Sequence, residues 1–186
     1  DPAQGQRLVM GQEWPPRVTE GVTNAMDERR RAVLVIGIGN VLWADEGFGV
    51  RAVEALHDAF AFPDGVVLMD GGTQGLNLLE DVACSRHVLV FDAVDYGLAP
   101  GTLEVLRDDK VPAWGRAKLS PHQTGFNEVL ALAAIKDRYP DAITVIGVQP
   151  VELADFGGSL TPPVRACLAP AVELAARELA GWGFAG

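Results

Sequence analysis

Short apolar runs alternate with longer segments of helical periodicity from about residue 32 onward. Three of the runs have the length and β-branched content of buried strands, at residues 33–38, 66–69 and 88–91. Strands that alternate with helical segments are typical of a mostly parallel sheet with crossover helices. The pattern therefore predicts an α/β fold.

The first predicted helix covers residues 50–60, where apolar side chains recur every three or four positions. Asp45 is its predicted N-cap, and Glu46 lies in its first turn. A second helix is predicted around residues 126–133, and a further strand at residues 143–148. These elements extend the same strand and helix alternation toward the end of the chain.

Two proline-containing segments refine the prediction. A strand at residues 103–106 follows Pro100-Gly101, and its short connection from the preceding strand predicts antiparallel edge pairing. Thr161-Pro162 is a favourable start for a terminal helical region that ends near residue 182. Pro170 is expected to kink or divide that region, because proline removes a helical hydrogen bond and clashes with the preceding turn.

The first 31 residues differ from the rest of the chain. They lack apolar periodicity, contain Pro15-Pro16, and end in a charged run at residues 27–31. Such composition is typical of a disordered leader or of an extension added to the natural chain. The packed part is predicted to be one domain over residues 32–186, the size of a single hydrophobic core.

Charge and composition exclude several classes of function. With 25 acidic and 15 basic side chains, the net charge of -10 opposes binding to nucleic-acid phosphates. No apolar stretch approaches the roughly 20 residues that a membrane-spanning helix needs, so no membrane partner is expected. The only cysteines, Cys84 and Cys167, lack the close spacing of a zinc or redox site. We expect both to be free thiols.

Three residues are candidate metal ligands, because each lies where a strand gives way to a loop or a loop enters a helix. Glu46 precedes the first helix, Asp92 ends the strand at 88–91, and His122 precedes the second helix. Parallel strands bring such positions to one edge of the sheet. Two carboxylates and one imidazole suit a borderline divalent ion. Each also has a purely structural interpretation as a helix-terminal, turn-capping or surface residue.

The residue identities within the motifs are more specific than the spacing between them. Residues 37–50, GIGNVLWADEGFGV, closely resemble the opening segment of the hydrogenase maturation proteases. DGGTQG at 70–75, FDAV at 91–94 and SPHQ at 120–123 resemble later segments of that family, in the same order. VQP at 148–150 and FGGSL at 156–160 are similar to segments of the proteases that serve uptake-type hydrogenases. The resemblance covers about residues 33–182.

The resemblance implies both a fold and an activity. The fold would be a three-layer α/β/α domain with a phosphorylase/hydrolase-like sheet of about five strands. The activity would be that of a nickel-dependent endopeptidase acting in the cytoplasm, which removes the C-terminal extension of a nickel-iron hydrogenase large-subunit precursor after nickel insertion. The nickel would come with the precursor rather than being permanently bound.

The resemblance assigns the nickel-interacting positions to Glu46, Asp92 and His122. In that assignment the ion either activates the attacking water or only docks the substrate. In the second case a carboxylate such as Asp45 or Asp70 would act as general base. Asp70 also has a structural interpretation, as a carboxylate that satisfies turn amides beside Gly71-Gly72.

Two other functions stay open on sequence grounds. A non-cleaving nickel checkpoint or metallochaperone would need the same three ligands. A dinucleotide-binding protein would fit Gly37 and Gly39 after a strand and Asp70 at the end of the next, but the third glycine of that motif is replaced by Leu42. No serine-nucleophile or zinc-peptidase motif is present in the sequence.

Overall fold

The computed structural model describes residues 30–114 and 121–186, except for the side chains of residues 113, 114 and 121–124. Within that part the chain forms one five-stranded sheet with the strand order β2-β1-β3-β5-β4. The strands are β1 Arg31–Ile38, β2 Val66–Gly72, β3 Ser85–Ala93, β4 Leu103–Arg107 and β5 Ala142–Val148.

The helices lie between these strands and after the last one. They are α1 Phe48–Ala59, α2 Leu79–Ala83, α3 Val111–Trp114, α4 Pro121–Ile135, α5 Pro162–Arg165 and α6 Leu168–Gly181. Single 3-10 turns precede three of them, at Ala44–Gly47, Gly75–Leu78 and Asp108–Lys110. None of the described helices is long and apolar enough to cross a bilayer.

The sheet carries a hydrophobic core on each face, because its central strands are apolar at successive positions. On one face, α1 and α6 pack on alternate residues of the central strands, with Phe48, Phe91 and Leu179 fully buried. On the other face, α2 and α4 pack on the intervening residues, with Ile36, Val90 and Phe126 buried. Helices on both faces of a mostly parallel sheet confirm the predicted three-layer α/β/α fold.

The fourth strand lies at the sheet edge and is antiparallel, as predicted. Leu103 pairs with Val148 and Arg107 with Thr144, so β4 runs beside β5 rather than beside β3. The loop between β3 and β4 passes over the position that β5 later fills. The short connection correctly indicated direction and edge position, but it carried no information about the strand that arrives later.

Two predicted boundaries also change. The first strand begins at Arg31, and Arg30 donates hydrogen bonds to the carbonyl oxygens of Ser85 and Tyr139 at 2.7 and 3.1 Å. These two residues therefore belong to the packed domain rather than to the predicted leader. The terminal region does start at Thr161-Pro162, and it divides at Ala166 and Cys167, before Pro170. Pro170 then occupies the first turn of α6, where no intrahelical N–H bond is lost.

One ion pair fastens α6 to the antiparallel edge of the sheet. Arg107 donates two parallel hydrogen bonds to the Glu178 carboxylate, each 2.9 Å long, and the Thr144 hydroxyl donates a third at 2.7 Å. Burial alone raises the pKa of Glu178, but the hydrogen bonds from Arg107 and Thr144 outweigh it, so this pKa lies below its usual value. Folding therefore favours the ionised carboxylate.

Replacing Glu178 by Gln is expected to lower the free energy of unfolding by about 1 kcal/mol at pH 7. A lowered folded-state pKa stabilises the fold above the unfolded value of about 4.3, and this contribution disappears as the pH falls through the folded-state pKa. Urea unfolding at pH 7 and pH 3 measures the free energy of unfolding of each protein with and without this contribution. Glu173→Gln, on the exposed side of the same helix, is the matched control. An equal loss at both pH values would contradict the assignment.

Candidate functional site

Close glycine packing brings the start of α1 onto the carboxyl edge of the sheet. A Cβ atom on Gly49 would overlap the carbonyl oxygens of Ile38 and Phe91, and one on Gly37 would overlap the backbone of Gly49. The turn before α1 is therefore seated on the ends of β1 and β3. Glu46 belongs to that turn and is half-buried, so the residue lies close to the edge where both strands end.

Asp92 is the second predicted ligand and lies at the same edge. It is the penultimate residue of β3 and is fully buried, and its Oδ1 accepts a hydrogen bond from the amide of Ala93 at 2.8 Å. Its neighbours Phe91 and Ala93 point toward α1 and α6. Asp92 consequently points to the opposite face, the one that α4 covers.

His122 is the second residue of α4, and its imidazole lies outside the described side chains. The helix position is nevertheless informative. Gly125, one turn further on, packs against Gly75 in the segment that follows β2. The start of α4 thus lies at the same edge as Glu46 and Asp92. Among the described side chains, no three His, Cys, Asp or Glu residues group closely enough to hold a metal ion.

Asp45 has a different position from the one that the sequence predicted. The N-cap position of α1 is Gly47, and Asp45 is fully buried within the preceding turn. Its carboxylate accepts four hydrogen bonds of 2.7 to 3.0 Å, from the amides of Val151, Glu152 and Thr161 and from the Thr161 hydroxyl. Asp45 therefore anchors the loop after β5 to the turn that carries Glu46.

Asp70, the other predicted general base, is exposed and lies within β2 rather than at its end. Its neighbour Leu68, two positions earlier, packs on the α1 face, and a recess on that face is lined by Asp70 together with His57 and Asp58 of α1. Asp92 points to the other face. The sheet therefore separates these two carboxylates.

An apolar rim and a recess adjoin the turn that carries Glu46. Val41, Leu42 and Phe156 are 40, 53 and 67% exposed, and Phe156 packs edge-on against Trp43 with ring centroids 5.2 Å apart. The recess has a volume of about 410 Å³, and its walls include Ala44, Gly47 and two arginines, Arg51 and Arg165. Exposed apolar groups beside a recess are typical of surfaces that bind another molecule.

The sequence did not predict the role of Gln149 beside the site. The side chain of Gln149, at the end of β5, accepts hydrogen bonds from the amides of Tyr96 and Leu98 at 2.8 and 3.1 Å and donates one to Asp95 at 3.1 Å. These bonds fix the loop that follows Asp92. The contacts join residues more than 50 positions apart, so no local pattern signals them.

The two cysteines are free thiols, as predicted. Cys167 is buried, and its thiol donates hydrogen bonds to the carbonyl oxygens of Gly101 and Pro163 at 3.0 and 3.3 Å. Burial raises the pKa of this thiol, which keeps it protonated and unreactive. Cys84 is half-buried beside Arg138 at the far end of the sheet. Cys84 therefore lies at the opposite end of β3 from Asp92.

Comparison with known proteins identifies the relatives of this chain. The family described as hydrogenase maturation protease matches residues 50–178. The hydrogenase expression/formation protein HoxM of Azotobacter vinelandii is 60% identical over 152 residues, which cover 81% of this chain and 73% of that protein. The hydrogenase 2 maturation protease of Escherichia coli is 45% identical over 142 residues, or 76% of this chain and 86% of the relative.

Solved structures agree with the sequence matches. The hydrogenase maturating endopeptidase HybD of Escherichia coli superposes with a TM-score of 0.79 at 41% identity, covering 83% of this chain and 95% of that protein. A nickel-iron hydrogenase maturation protease from Thermococcus kodakarensis superposes with a TM-score of 0.64 at 26% identity, covering 78% and 97% of the two chains. The three-layer architecture is therefore shared with peptidases of known structure.

Proposed function

This chain belongs to the hydrogenase maturation protease family and is an endopeptidase, and from this premise we propose its substrate and trigger. The proposed substrate is the large-subunit precursor of a nickel-iron hydrogenase. The protein removes the C-terminal extension of that precursor in the cytoplasm once nickel has been inserted. One observation supports the proposal: the residues Glu46 and Asp92 and the start of the helix bearing His122 all lie toward the carboxyl edge of the sheet.

The donor set fits a cation that the substrate delivers. Two carboxylates and one imidazole suit nickel, and three ligands leave coordination positions for groups of the precursor. Asp92 is fully buried, and burial makes an ionised carboxylate costly unless an opposite charge or hydrogen-bond donors compensate. An incoming cation would supply such a charge. The apolar rim of Val41, Leu42 and Phe156 would contact the polypeptide around the ion.

The reaction itself is hydrolysis of one peptide bond. The oxygen of water bonds to the scissile carbonyl carbon, the C–N bond breaks, and a proton passes to the leaving nitrogen. A divalent cation polarises the carbonyl and lowers the pKa of water. Glu46, Asp92 and His122 would hold that cation against the scissile bond, and Asp92 is itself shielded from bulk water.

The positions of Asp45 and Asp70 favour water activation by the ion over a separate general base. Both oxygens of Asp45 already accept hydrogen bonds from the loop after β5. Asp70 lies on the α1 face of the sheet, away from Asp92. Neither carboxylate is placed to accept a proton from a water molecule beside Asp92.

Cleavage of purified precursor tests this proposal directly. Nickel-loaded and nickel-free large-subunit precursors are incubated separately with the protein, and the masses of the products are measured by mass spectrometry. We expect the nickel-loaded form alone to lose a C-terminal peptide. Equal cleavage of both forms would refute nickel dependence. Binding of the loaded form without cleavage would instead indicate a checkpoint protein.

A further inference from the structure

The hydroxyl group of Tyr96 is buried without a hydrogen-bond partner. Tyr96 lies in the loop after β3, and its hydroxyl oxygen is inaccessible to solvent and unpaired among the described residues. A buried hydroxyl without a partner costs about 1 to 3 kcal/mol. Such groups are rare in folded proteins, and each calls for a specific reason.

The hydroxyl lies beside the candidate site. In the sheet, Asp92 of β3 pairs with Gly147 of β5, and Gly147 pairs in turn with Glu104 of β4. A Cβ atom built on Gly147 would lie 3.2 Å from the Tyr96 hydroxyl oxygen. The hydroxyl therefore occupies the side-chain space above Gly147, between the positions of two carboxylates.

The surrounding structure holds Tyr96 firmly in this place. Its amide donates to the side-chain oxygen of Gln149 at 2.8 Å, and the ring packs in the core layer formed with α2 and α4. Burial raises the pKa of the hydroxyl, and the negative charges of Asp92 and Glu104 raise it further. The hydroxyl group is thus a protonated donor that is held near two carboxylates and is hydrogen-bonded to neither.

We propose that Tyr96 is a positioning residue of the peptidase site, whose hydroxyl donates a hydrogen bond to Asp92 when Asp92 binds the metal ion of the substrate. This inference rests on the proposed function. Asp92 Oδ1 accepts the Ala93 amide, and a carboxylate has room for several donors on its two oxygens. Hydrogen bonds to metal-ligating carboxylates orient the ligand, and their loss typically costs about 10- to 100-fold in affinity or activity.

Binding of the precursor by Tyr96→Phe tests the inference independently of cleavage. We expect the affinity for nickel-loaded precursor to fall about tenfold or more, while the affinity for nickel-free precursor stays within about twofold. Cleavage of the loaded precursor should fall by a similar factor. The free energy of unfolding should be unchanged or higher, because the variant removes an unpaired buried hydroxyl. A merely structural tyrosine would not give this combination.

The other tyrosine provides the matched control. Tyr139 packs against the same core layer but lies at the opposite end of the sheet, beside Pro140. Tyr139→Phe removes the same atom and should preserve the preference for loaded precursor. Glu104→Gln should also preserve it. If Glu104→Gln abolishes the preference and Tyr96→Phe adds nothing to it, Glu104 is the acceptor and the inference is wrong.

The outcomes for the wild-type protein separate the two proposals. If the wild-type protein prefers loaded precursor and Tyr96→Phe retains the full preference, the role of Tyr96 is refuted and the proposed function stands. If the wild-type protein shows no preference for loaded precursor, nickel recognition fails, and the role of Tyr96 fails with it.

Discussion

The substitution Asp92→Asn is expected to reduce kcat/KM for the nickel-loaded precursor by about 100-fold or more, because it removes a charged ligand from the ion that polarises the scissile bond. The amide side chain keeps the shape of the carboxylate and can still accept the hydrogen bond from the Ala93 amide. Glu46→Gln and His122→Gln should have effects of the same size. Mass spectrometry of timed reactions gives the rates, and urea unfolding shows whether each variant is folded.

Surface residues of α1 supply matched controls for all three changes. The side chains of His57 and Asp58 are 76 and 85% exposed, and Glu54 is 53% exposed. His57→Gln, Asp58→Asn and Glu54→Gln repeat the same chemical changes away from the sheet edge and should cleave at the wild-type rate. Wild-type rates for the folded site variants would show that the three ligands are wrongly assigned.

Replacing Asp45 by Asn is expected to lower the free energy of unfolding by on the order of 3 kcal/mol. The buried carboxylate accepts four hydrogen bonds, whereas the amide NH2 group of asparagine would face N–H donors that it cannot bond. The loop after β5 should then detach from the turn that carries Glu46. Urea unfolding measures the loss of stability, and the precursor cleavage assay measures its effect on activity.

Two further variants calibrate the effect at Asp45. Thr161→Val removes one of the four donors and should cost about 1 kcal/mol. Asp58→Asn makes the same chemical change at an exposed position and should be nearly neutral. An Asp45→Asn protein as stable as the wild type would mean that the buried bonds contribute little to holding the loop.

The sequence predicted most of the fold because the central strands are recognisable from their own residues. Runs such as 88–91 are apolar at every position, and burial on both faces of a parallel sheet requires that pattern. The pairing partner of β4, in contrast, could not be predicted. Register between β4 and β5 depends on a strand that begins at Ala142, and strand pairing across that distance leaves no periodicity in either segment.

The candidate site was predictable in position but not in its supporting contacts. Strand ends and helix starts located Glu46, Asp92 and His122, because open sheets bind ligands at their carboxyl edge. Asp45 looked like an N-cap, since an acidic residue before a helix commonly has that role. Its actual partner Thr161 lies 116 residues away. Contacts of that kind depend on the tertiary fold, and no local pattern in the sequence reveals them.

The strand order also sets a sequence of events during synthesis on the ribosome. β3 and β4 emerge before β5, yet β5 lies between them in the finished sheet. Until β5 is made, one apolar edge of β3 has no strand beside it, and β4 has no pairing partner in the described sheet. Open apolar edges favour aggregation. The nascent chain is therefore prone to aggregation until β5 inserts between β3 and β4. The protein cannot cleave a substrate before that step.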